Sequence, residues 1–368
     1  MGLGPRSVED VVGQVAMRNP LAHDLDHVLA RTSGLWDDLR GARLFITGGT
    51  GFFGCWLLET FVWANDHLKL DASVVVLTRD QNAFERRVPH LASHPAVTLH
   101  EGDVRTFEFS GGAFSHVIHA ATDSGTPLAE RDRLLMFDTI VGGTRRTLEF
   151  ARRTGARRFL LTSSGAVYGR QPAELTHVPE DYAGGPDPAN AGHVYGEGKR
   201  AAEMLCAVHA DVDLQPTIAR CFAFVGPYLP LDVHFAVGNF IRDALHGGPI
   251  RVSGDGTPYR SYLYAADLAI WLWTILLRGQ SIRPYNVGSE AAISIADLAH
   301  LVARRLTSGS KVEVARTAIP GRPAERYVPS SARIRTELGV KVTVDLEEAL
   351  IRTAEWHRRR LIPAHVEN

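Results

Sequence analysis

Cysteine is scarce in this chain. There are three in 368 residues (Cys55, Cys206 and Cys221), an odd number, widely spaced and without a Cys-x-x-Cys pair. That excludes a disulfide framework and fits a reducing compartment, with the thiols as small apolar fillers. Net charge is also missing, because 40 Lys and Arg stand against 41 Asp and Glu, leaving -1. Nucleic-acid binders usually carry a basic excess or stripe, so that class is excluded as well. The one basic run, His357-Arg358-Arg359-Arg360, is short and reads as a solvated helix end. No long apolar run occurs. The most apolar stretch, Ala269 to Leu277, is about half of the ~20 residues that a membrane span needs. The N-terminus shows no apolar signal-peptide core, and Arg6 stands where a myristoylation motif wants Ser or Thr. The expectation is a soluble, cytoplasmic protein.

What is present is ample core material, with 45% hydrophobic and 22% charged residues. At roughly 150 residues per domain, the length suggests two domains, or one with an appended lobe. Residues 1–40 read as an N-terminal helical extension, starting near Ser7 and Glu9-Asp10 and continuing from Asp24 to Leu39. From Ala42 the pattern changes to short apolar runs, at Leu44–Ile46, Val74–Leu77, Val97–Leu99, Val117-Ile118 and Phe159–Leu161. Helical stretches separate them, chiefly Phe53–Trp63, Leu134–Arg153 and Tyr195–Ala210. Continuous apolar strands alternating with helices predict an α/β fold with a doubly wound parallel sheet. Beyond residue 219 the chain is richer in Pro and Gly, as in Gly247-Gly248-Pro249 and Gly254-Asp255-Gly256. The division expected is 41–219 for the sheet domain and 220–368 mainly for a smaller, interleaved substrate-binding lobe, with segments near 262–290 returning to the first.

The first strand runs into Thr47-Gly48-Gly49-Thr50-Gly51-Phe52-Phe53-Gly54, which opens a helix. Gly48, Gly51 and Gly54 allow a tight turn, close approach of a pyrophosphate and close helix–sheet packing, while the helix N-terminus offers amide donors. No Gly-Lys-Ser/Thr follows, which excludes a Walker loop. The spacing therefore predicts a dinucleotide site. The second strand should end on the ribose discriminator, and Thr78 takes that place. Arg79 beside it can pair with a 2′-phosphate, stack on adenine or be solvated, and Asp80 would serve NAD if the register is one or two residues off. The cofactor expected is NAD or NADP, with a lean to NADP.

Tyr195 and Lys199 are four residues apart, on one face of a helix. An ammonium near a phenol lowers its pKa, which suits a general base acting on an alcohol; an exposed helical pair is the competing reading. Gly196 and Gly198 inside that turn cost about 1 kcal/mol each relative to Ala, so a cofactor or another element should pack closely there. Upstream, the strand Leu160-Leu161-Thr162-Ser163-Ser164 ends in hydroxyls, placing Ser164 at the carboxyl edge of the sheet, where such folds bind ligands. His23/His27 and His116/His119 lack a third ligand, so no metal site is expected.

Taken together, these residues resemble the extended short-chain dehydrogenase/reductase family, in its NAD(P)-dependent nucleotide-sugar epimerase/dehydratase branch. The resemblance covers about 42–356. It also rests on Gly102-Asp103-Val104, His119-Ala120-Ala121, the Ser164-to-Gly169 strand end, Arg220 to Pro227, Gly254 to Asp267 and Gly321-Arg322-Pro323. It implies a Rossmann domain in which Gly48, Gly51, Phe52, Phe53 and Gly54 bracket the pyrophosphate. Asp103 and Val104 would flank adenine, and Ala120, Ala121 and Thr122 would line the cofactor path. Ser164 would bond the reacting oxygen, Tyr195 exchange its proton and Lys199 hold the nicotinamide ribose. Arg260 and Arg322 would clamp the substrate diphosphate, with Asn239 and Tyr262 beside the nucleotide. A homodimer is implied too.

Two departures narrow this. The family's 4,6-dehydratases carry Asp-Glu after the catalytic hydroxyl, and its decarboxylases a Glu, whereas here Gly165-Ala166 follow Ser164. With no carboxyl to move protons, those reactions are disfavoured. The family's usual Asn ahead of Gly143-Thr144 is replaced by Ile140. The expectation is a nucleotide-sugar epimerase acting at C4. An NADP-dependent 4-ketoreductase of a deoxy-sugar nucleotide is the alternative, and a non-catalytic dinucleotide sensor is a third reading.

Overall fold

Apolar runs that cannot reach water on either face assemble into one sheet. The computed structural model describes residues 19–109, 111–122, 132–233 and 235–361; the helix-start signals between Ser7 and Met17 lie outside them. Its central sheet has seven strands: β1 (Arg43–Thr47), β2 (Ser73–Thr78), β3 (Val97–Glu101), β4 (His116–His119), β5 (Arg158–Ser164), β6 (Gln215–Cys221) and β7 (Pro284–Val287). All pair in parallel, in the order β3-β2-β1-β4-β5-β6-β7. Chain order reverses between β1 and β4, and the crevice at their carboxyl ends is where doubly wound folds bind ligands.

The helices that position the site are α1 (Ala22–Arg31), α2 (Phe52–Leu68), α3 (Arg133–Arg153), α4 (Val194–His209), α5 (Ala265–Arg278) and α6 (Leu346–Leu361). Two long crossovers, α3 and α4, pack side by side on one face, while α2 and α5 pack together on the other. β7 joins the sheet after the chain has left it, beside β6. The intervening and following residues build a smaller lobe. Its three-stranded sheet pairs Tyr259–Arg260 with both Ile293–Ser294 and Arg326–Tyr327.

The stretch that looked most apolar in the sequence belongs to α5, which is buried from Ala265 through Leu277. A helix buried all round needs a cover on its outer side, and the N-terminal segment supplies it, since α1 packs on both α5 and α2. Asp24 of α1 is buried and accepts hydrogen bonds from Tyr264 Oη (2.6 Å) and from Arg352 of α6. Trp36 sits tilted against Trp273, ring centroids 5.0 Å apart. The helical piece expected over Asp24–Leu39 is broken: α1 stops at Arg31, Gly34 takes a φ of +81°, and one tight turn, Trp36–Leu39, follows. Thr32 Oγ1 donates to Val28 O and accepts from Trp36 Nε1, which draws the indole back over the helix end. At the other terminus Arg358, Arg359 and Arg360 are exposed as expected, but His357 is turned inward, and burial lowers its pKa to about 4.

Candidate active site

At the crevice, β1 ends in the glycine-rich turn. Gly48 has a φ of +71°, and a Cβ there would stand 2.5 Å from the Ala120 carbonyl. At Gly54 a Cβ would stand 2.3 Å from Gly48 O. Both glycines are thus required by the packing of the turn against the end of β4 and the start of α2. Gly51 differs, because it is exposed and a Cβ would meet only Gly48 O, at 3.4 Å. As N-cap of α2 it offers no side-chain cap to the first-turn amides, which include those of Phe52 and Phe53. Uncapped amides at the start of a 17-residue helix fit a pyrophosphate. Arg87 rests on this turn, donating to Thr50 O.

The β2 tip is Thr78, in the register the sequence predicted. It is buried and bonds back to the Asp80 backbone, Oγ1 donating to O (3.2 Å) and accepting from N (3.3 Å). Asp80 caps the next helix, Gln81–Arg87, by accepting from Ala83 N at 2.8 Å. Arg79, between them, adds its charge to the surroundings of Asp103. Asp103 holds Arg105 in a two-pronged pair at 2.9 Å, a bond that keeps its carboxyl below the usual carboxylate range. Val104 is buried against α3, with Cγ1 2.9 Å from where a Cβ at Gly143 would stand.

β5 delivers Ser164 and α4 delivers Tyr195 and Lys199. The two glycines of that turn are explained by neighbouring elements. A Cβ at 196 would meet Ala166 O at 2.8 Å, and one at 198 would meet Ile140 Cδ1 at 3.1 Å. Ile140, the departure from the family's Asn, is therefore the surface on which α4 beds into α3. Glu203 joins the two elements, accepting from Ser163 Oγ at 2.5 Å and from Arg220 Nη2 at 2.7 Å.

Ser164 Oγ accepts from Ala166 N at 3.1 Å, and its hydroxyl is close enough to the Tyr195 phenol to lower that group's pKa. Lys199 is buried and donates to Thr122 Oγ1 (2.7 Å) and Thr162 O (2.8 Å), with Nζ 5.9 Å from the Tyr195 ring centroid. Burial lowers its pKa to about 8, so it stays a cation at neutral pH. The sequence predicted a phenol with lowered pKa beside it. Instead burial pushes Tyr195 up to about 12, and the bond to Ser164 is the one opposing influence. Lys199 is directed at the strand ends, where the cofactor path runs, rather than at the phenol.

In the second lobe, Arg260 is half-buried, with Nη1 on Tyr259 O at 2.8 Å. Arg322 lies on an exposed loop, its charge reaching Asp255. Asn239 is committed locally: with its amide turned to suit its surroundings, the nitrogen donates to Val233 O and Leu231 O at 3.1 Å. Tyr262 is buried and lines a recess of about 330 Å³ with Ser289, Glu290 and Lys341, a recess that Ser164, Tyr195 and Lys199 do not line. Sequence reasoning missed Tyr327, whose Oη lies 3.4 Å from Ser164 Oγ. Its one signal was its place five residues past Arg322 in the Gly321-Arg322-Pro323 segment.

His116 and His119 are buried and neutral, the latter between Thr47 Oγ1 (2.7 Å) and Thr144 Oγ1 (3.0 Å). Among the described residues no three His, Cys, Asp or Glu gather as a metal site, the cysteines are free and buried, and no helix is long and apolar enough to cross a membrane.

Comparison with known proteins bears on this geometry directly. A family model described as "NAD dependent epimerase/dehydratase family" matches residues 44–288. The chain belongs to this family. It is 30% identical over 365 residues to UDP-glucuronic acid decarboxylase 2 of Arabidopsis thaliana, covering 98% of this chain and 79% of that protein. It is likewise 30% identical to UDP-glucuronic acid decarboxylase 1 of Xenopus tropicalis, covering 87% and 73%. Among solved structures, the UDP-glucose 4-epimerase of Thermotoga maritima with UDP-glucose superimposes with a TM-score of 0.72 at 21% identity, covering 87% of this chain and 99% of that one. The dTDP-glucose 4,6-dehydratase of Streptomyces venezuelae, with NAD bound, gives 0.72 at 24% identity, covering 86% and 97%. These likenesses establish the fold of an NAD-dependent extended short-chain dehydrogenase/reductase. The two sequence relatives named above are decarboxylases, whereas the structural neighbours include an epimerase and a dehydratase.

Proposed function

We propose that the protein is an NAD(P)-dependent epimerase of a nucleotide-diphosphate sugar, working at C4 through a transient keto sugar. The observation that carries this reading is the corner after Ser164. Gly165-Ala166 supply no carboxyl, and a Cβ at 165 would meet the Phe222 ring at 2.7 Å and Tyr327 Oη at 2.8 Å. Elimination and decarboxylation use a carboxyl there in the wider family, so the site is left with oxidation and re-reduction at one carbon. The dinucleotide, when bound along Gly51, Phe52 and Phe53, supplies a hydride acceptor and donor. Tyr195 would exchange the proton of the sugar hydroxyl as a tyrosinate that the Lys199 charge one helical turn on favours, with Ser164 bonding the same oxygen, and Lys199, itself seated between Thr122 and Thr162, would hold the nicotinamide ribose. Arg260 and Arg322 keep the diphosphate in place while the keto sugar turns its other face.

The test is to identify the dinucleotide released from denatured protein. The protein is then incubated with UDP-glucose, UDP-galactose, UDP-glucuronic acid and dTDP-glucose, and the products are read by NMR. Co-purified NAD with isomerisation and no added reductant supports the epimerase. Loss of carbon dioxide from UDP-glucuronic acid overturns it. So does strict NADPH consumption, the outcome of the ketoreductase reading. That second reading is favoured by the strand tip, where Thr78 replaces an acidic residue and Asp80 is drawn into a helix cap.

The protein is a homodimer in this reading. Leu134 and Phe137 of α3 and Met204 and Val208 of α4 are exposed apolar side chains on two adjacent helices, Leu134 at 79% and Val208 at 72%. Two such faces would cover each other. Analytical ultracentrifugation should give a dimer that Val208→Glu splits; a monomeric wild type would remove this part of the proposal.

A further inference from the structure

Tyr195, Lys199 and Glu203 follow one another at intervals of four on α4, so the three side chains share one helix face. A helical glutamate is ordinarily solvated, yet the side chain of Glu203 is only 12% exposed. Its carboxylate is fixed from two strands. On β5, Ser163 Oγ donates to it from the residue before Ser164, at 2.5 Å. On β6, Arg220 donates through Nε at 3.0 Å and Nη2 at 2.7 Å. Arg220 is itself held by Tyr168 Oη (3.0 Å) and Glu180 O (3.2 Å). A buried carboxylate is costly unless paired and bonded in this way.

Lys199, one turn before Glu203, is a cation in dry surroundings. Its two hydrogen-bond partners, Thr122 Oγ1 and Thr162 O, are uncharged, and burial lowers its pKa to about 8. The groups that face it bring little negative charge. Cys221 of β6 acts on it most as a thiolate, but burial pushes that thiol up to about 12, so it is neutral where Lys199 titrates. Tyr195 of α4 is a phenol in the resting protein, at about 12, and His119 of β4 is neutral, at about 3. From α3 comes Ile140, an aliphatic side chain against Gly198. The Arg220 cation is engaged by Glu203 itself. That leaves Glu203 as the carboxylate that favours the charged form of Lys199.

We propose that Glu203 is a positioning residue: it seats α4 on β5 and β6 and holds the neighbouring Lys199 in its cationic form. The value of that charge to turnover rests on the proposed function, in which Lys199 holds the nicotinamide ribose and favours the Tyr195 tyrosinate. Without the carboxylate, Lys199 gives up its proton closer to neutral pH, and both services fail together on the alkaline side.

The charge can be read with no substrate present. The chain has four lysines, and Lys69, Lys311 and Lys341 are exposed, so the signal of Lys199 stands apart in protein labelled with ε-13C-lysine. In an NMR titration, Glu203→Gln should lower the Lys199 midpoint by about 0.5–1 pH unit, less than the roughly 1–3 units of an unpaired neighbour in contact. By calorimetry, NAD affinity should fall about threefold at pH 8 and stay within about twofold at pH 6.5. Arg220→Met breaks the same ion pair but keeps the carboxylate, so its midpoint should not fall. Where Glu203→Gln fails to fold, the double variant Glu203→Gln/Arg220→Met removes both buried charges, a change that proteins often tolerate, and its midpoint should fall too. An unchanged midpoint in the folded variant without Glu203 overturns the proposal. An equal fall in Arg220→Met makes Glu203 a structural residue and overturns it as well. A midpoint that falls as expected, in a protein that converts no sugar nucleotide, removes the epimerase reading and leaves the hold of Glu203 on Lys199 standing.

Discussion

Lys199 Nζ donates to Thr122 Oγ1 over 2.7 Å, tying the helix that carries Tyr195 to the strand end beside the glycine-rich turn. The ammonium thus spans the two sides of the crevice, while the phenol one turn earlier faces Ser164. Their losses should differ. Tyr195→Phe should reduce kcat by more than 100-fold with NAD affinity within about twofold of wild type. Lys199→Met should weaken NAD binding as well as turnover. Calorimetry with NAD on both variants separates them, and equal NAD losses would contradict the separate assignments.

Gly165→Asp should not create a dehydratase. A Cβ at 165 stands 2.7 Å from the Phe222 ring and 2.8 Å from Tyr327 Oη, and overpacking a filled site costs about 1–3 kcal/mol. Urea denaturation should show that loss, and product analysis should show lower turnover without 4-keto-6-deoxy product. A stable variant yielding that product would contradict the steric account.

Stability should fall as pH drops below about 6.5. Burial holds His116 near pKa 4, His119 near 3 and His357 near 4, each from 6.5. Between those values and 6.5 the unfolded chain binds protons that the folded one does not, so unfolding gains as acid is added. Urea denaturation from pH 7 to 4.5 should show the decline. His116→Asn should make it shallower, and an unchanged slope would count against His116 as a contributor.

Trp36→Ala should cost about 3–5 kcal/mol, the usual figure for removing a buried indole. Trp36 is buried against Trp273. Denaturant titration reads the loss, and NAD affinity at low temperature should be unchanged. A loss below about 1 kcal/mol would mean that the N-terminal segment is only loosely seated.

The parts of the site that were legible in the sequence are those whose geometry is local. Gly48, Gly51 and Gly54, spaced three apart, specify one turn, and a tyrosine four residues before a lysine specifies one helix face. Thr78 was placed correctly because an apolar strand ends where its polar residues begin. Tyr327 was not legible as a site residue, since its place five residues past Arg322 does not show that the pairing of Arg326–Tyr327 with Tyr259–Arg260 brings it to Ser164. Ile140 was seen as a missing amide, but its partner, Gly198, lies on another helix. The raised pKa of Tyr195 depends on burial from several elements and has no sequence signature. The neighbours that Val104 and Asn239 meet, Gly143 for one and Leu231 and Val233 for the other, have no sequence signature either.

The grip of α1 on the two ends of the chain has a consequence for the order of events during synthesis. Asp24 finds one partner in Tyr264, 240 residues on, and another in Arg352, 328 residues on. When the sheet strands emerge from the ribosome, the segment that covers α5 has only α2 to lie on. It must wait until α5 is made, keeping Trp36 from Trp273 for about 10–50 s at ~5–20 residues per second. Such a latch closes late: a chain stopped before residue 352 lacks the ion pair that completes it.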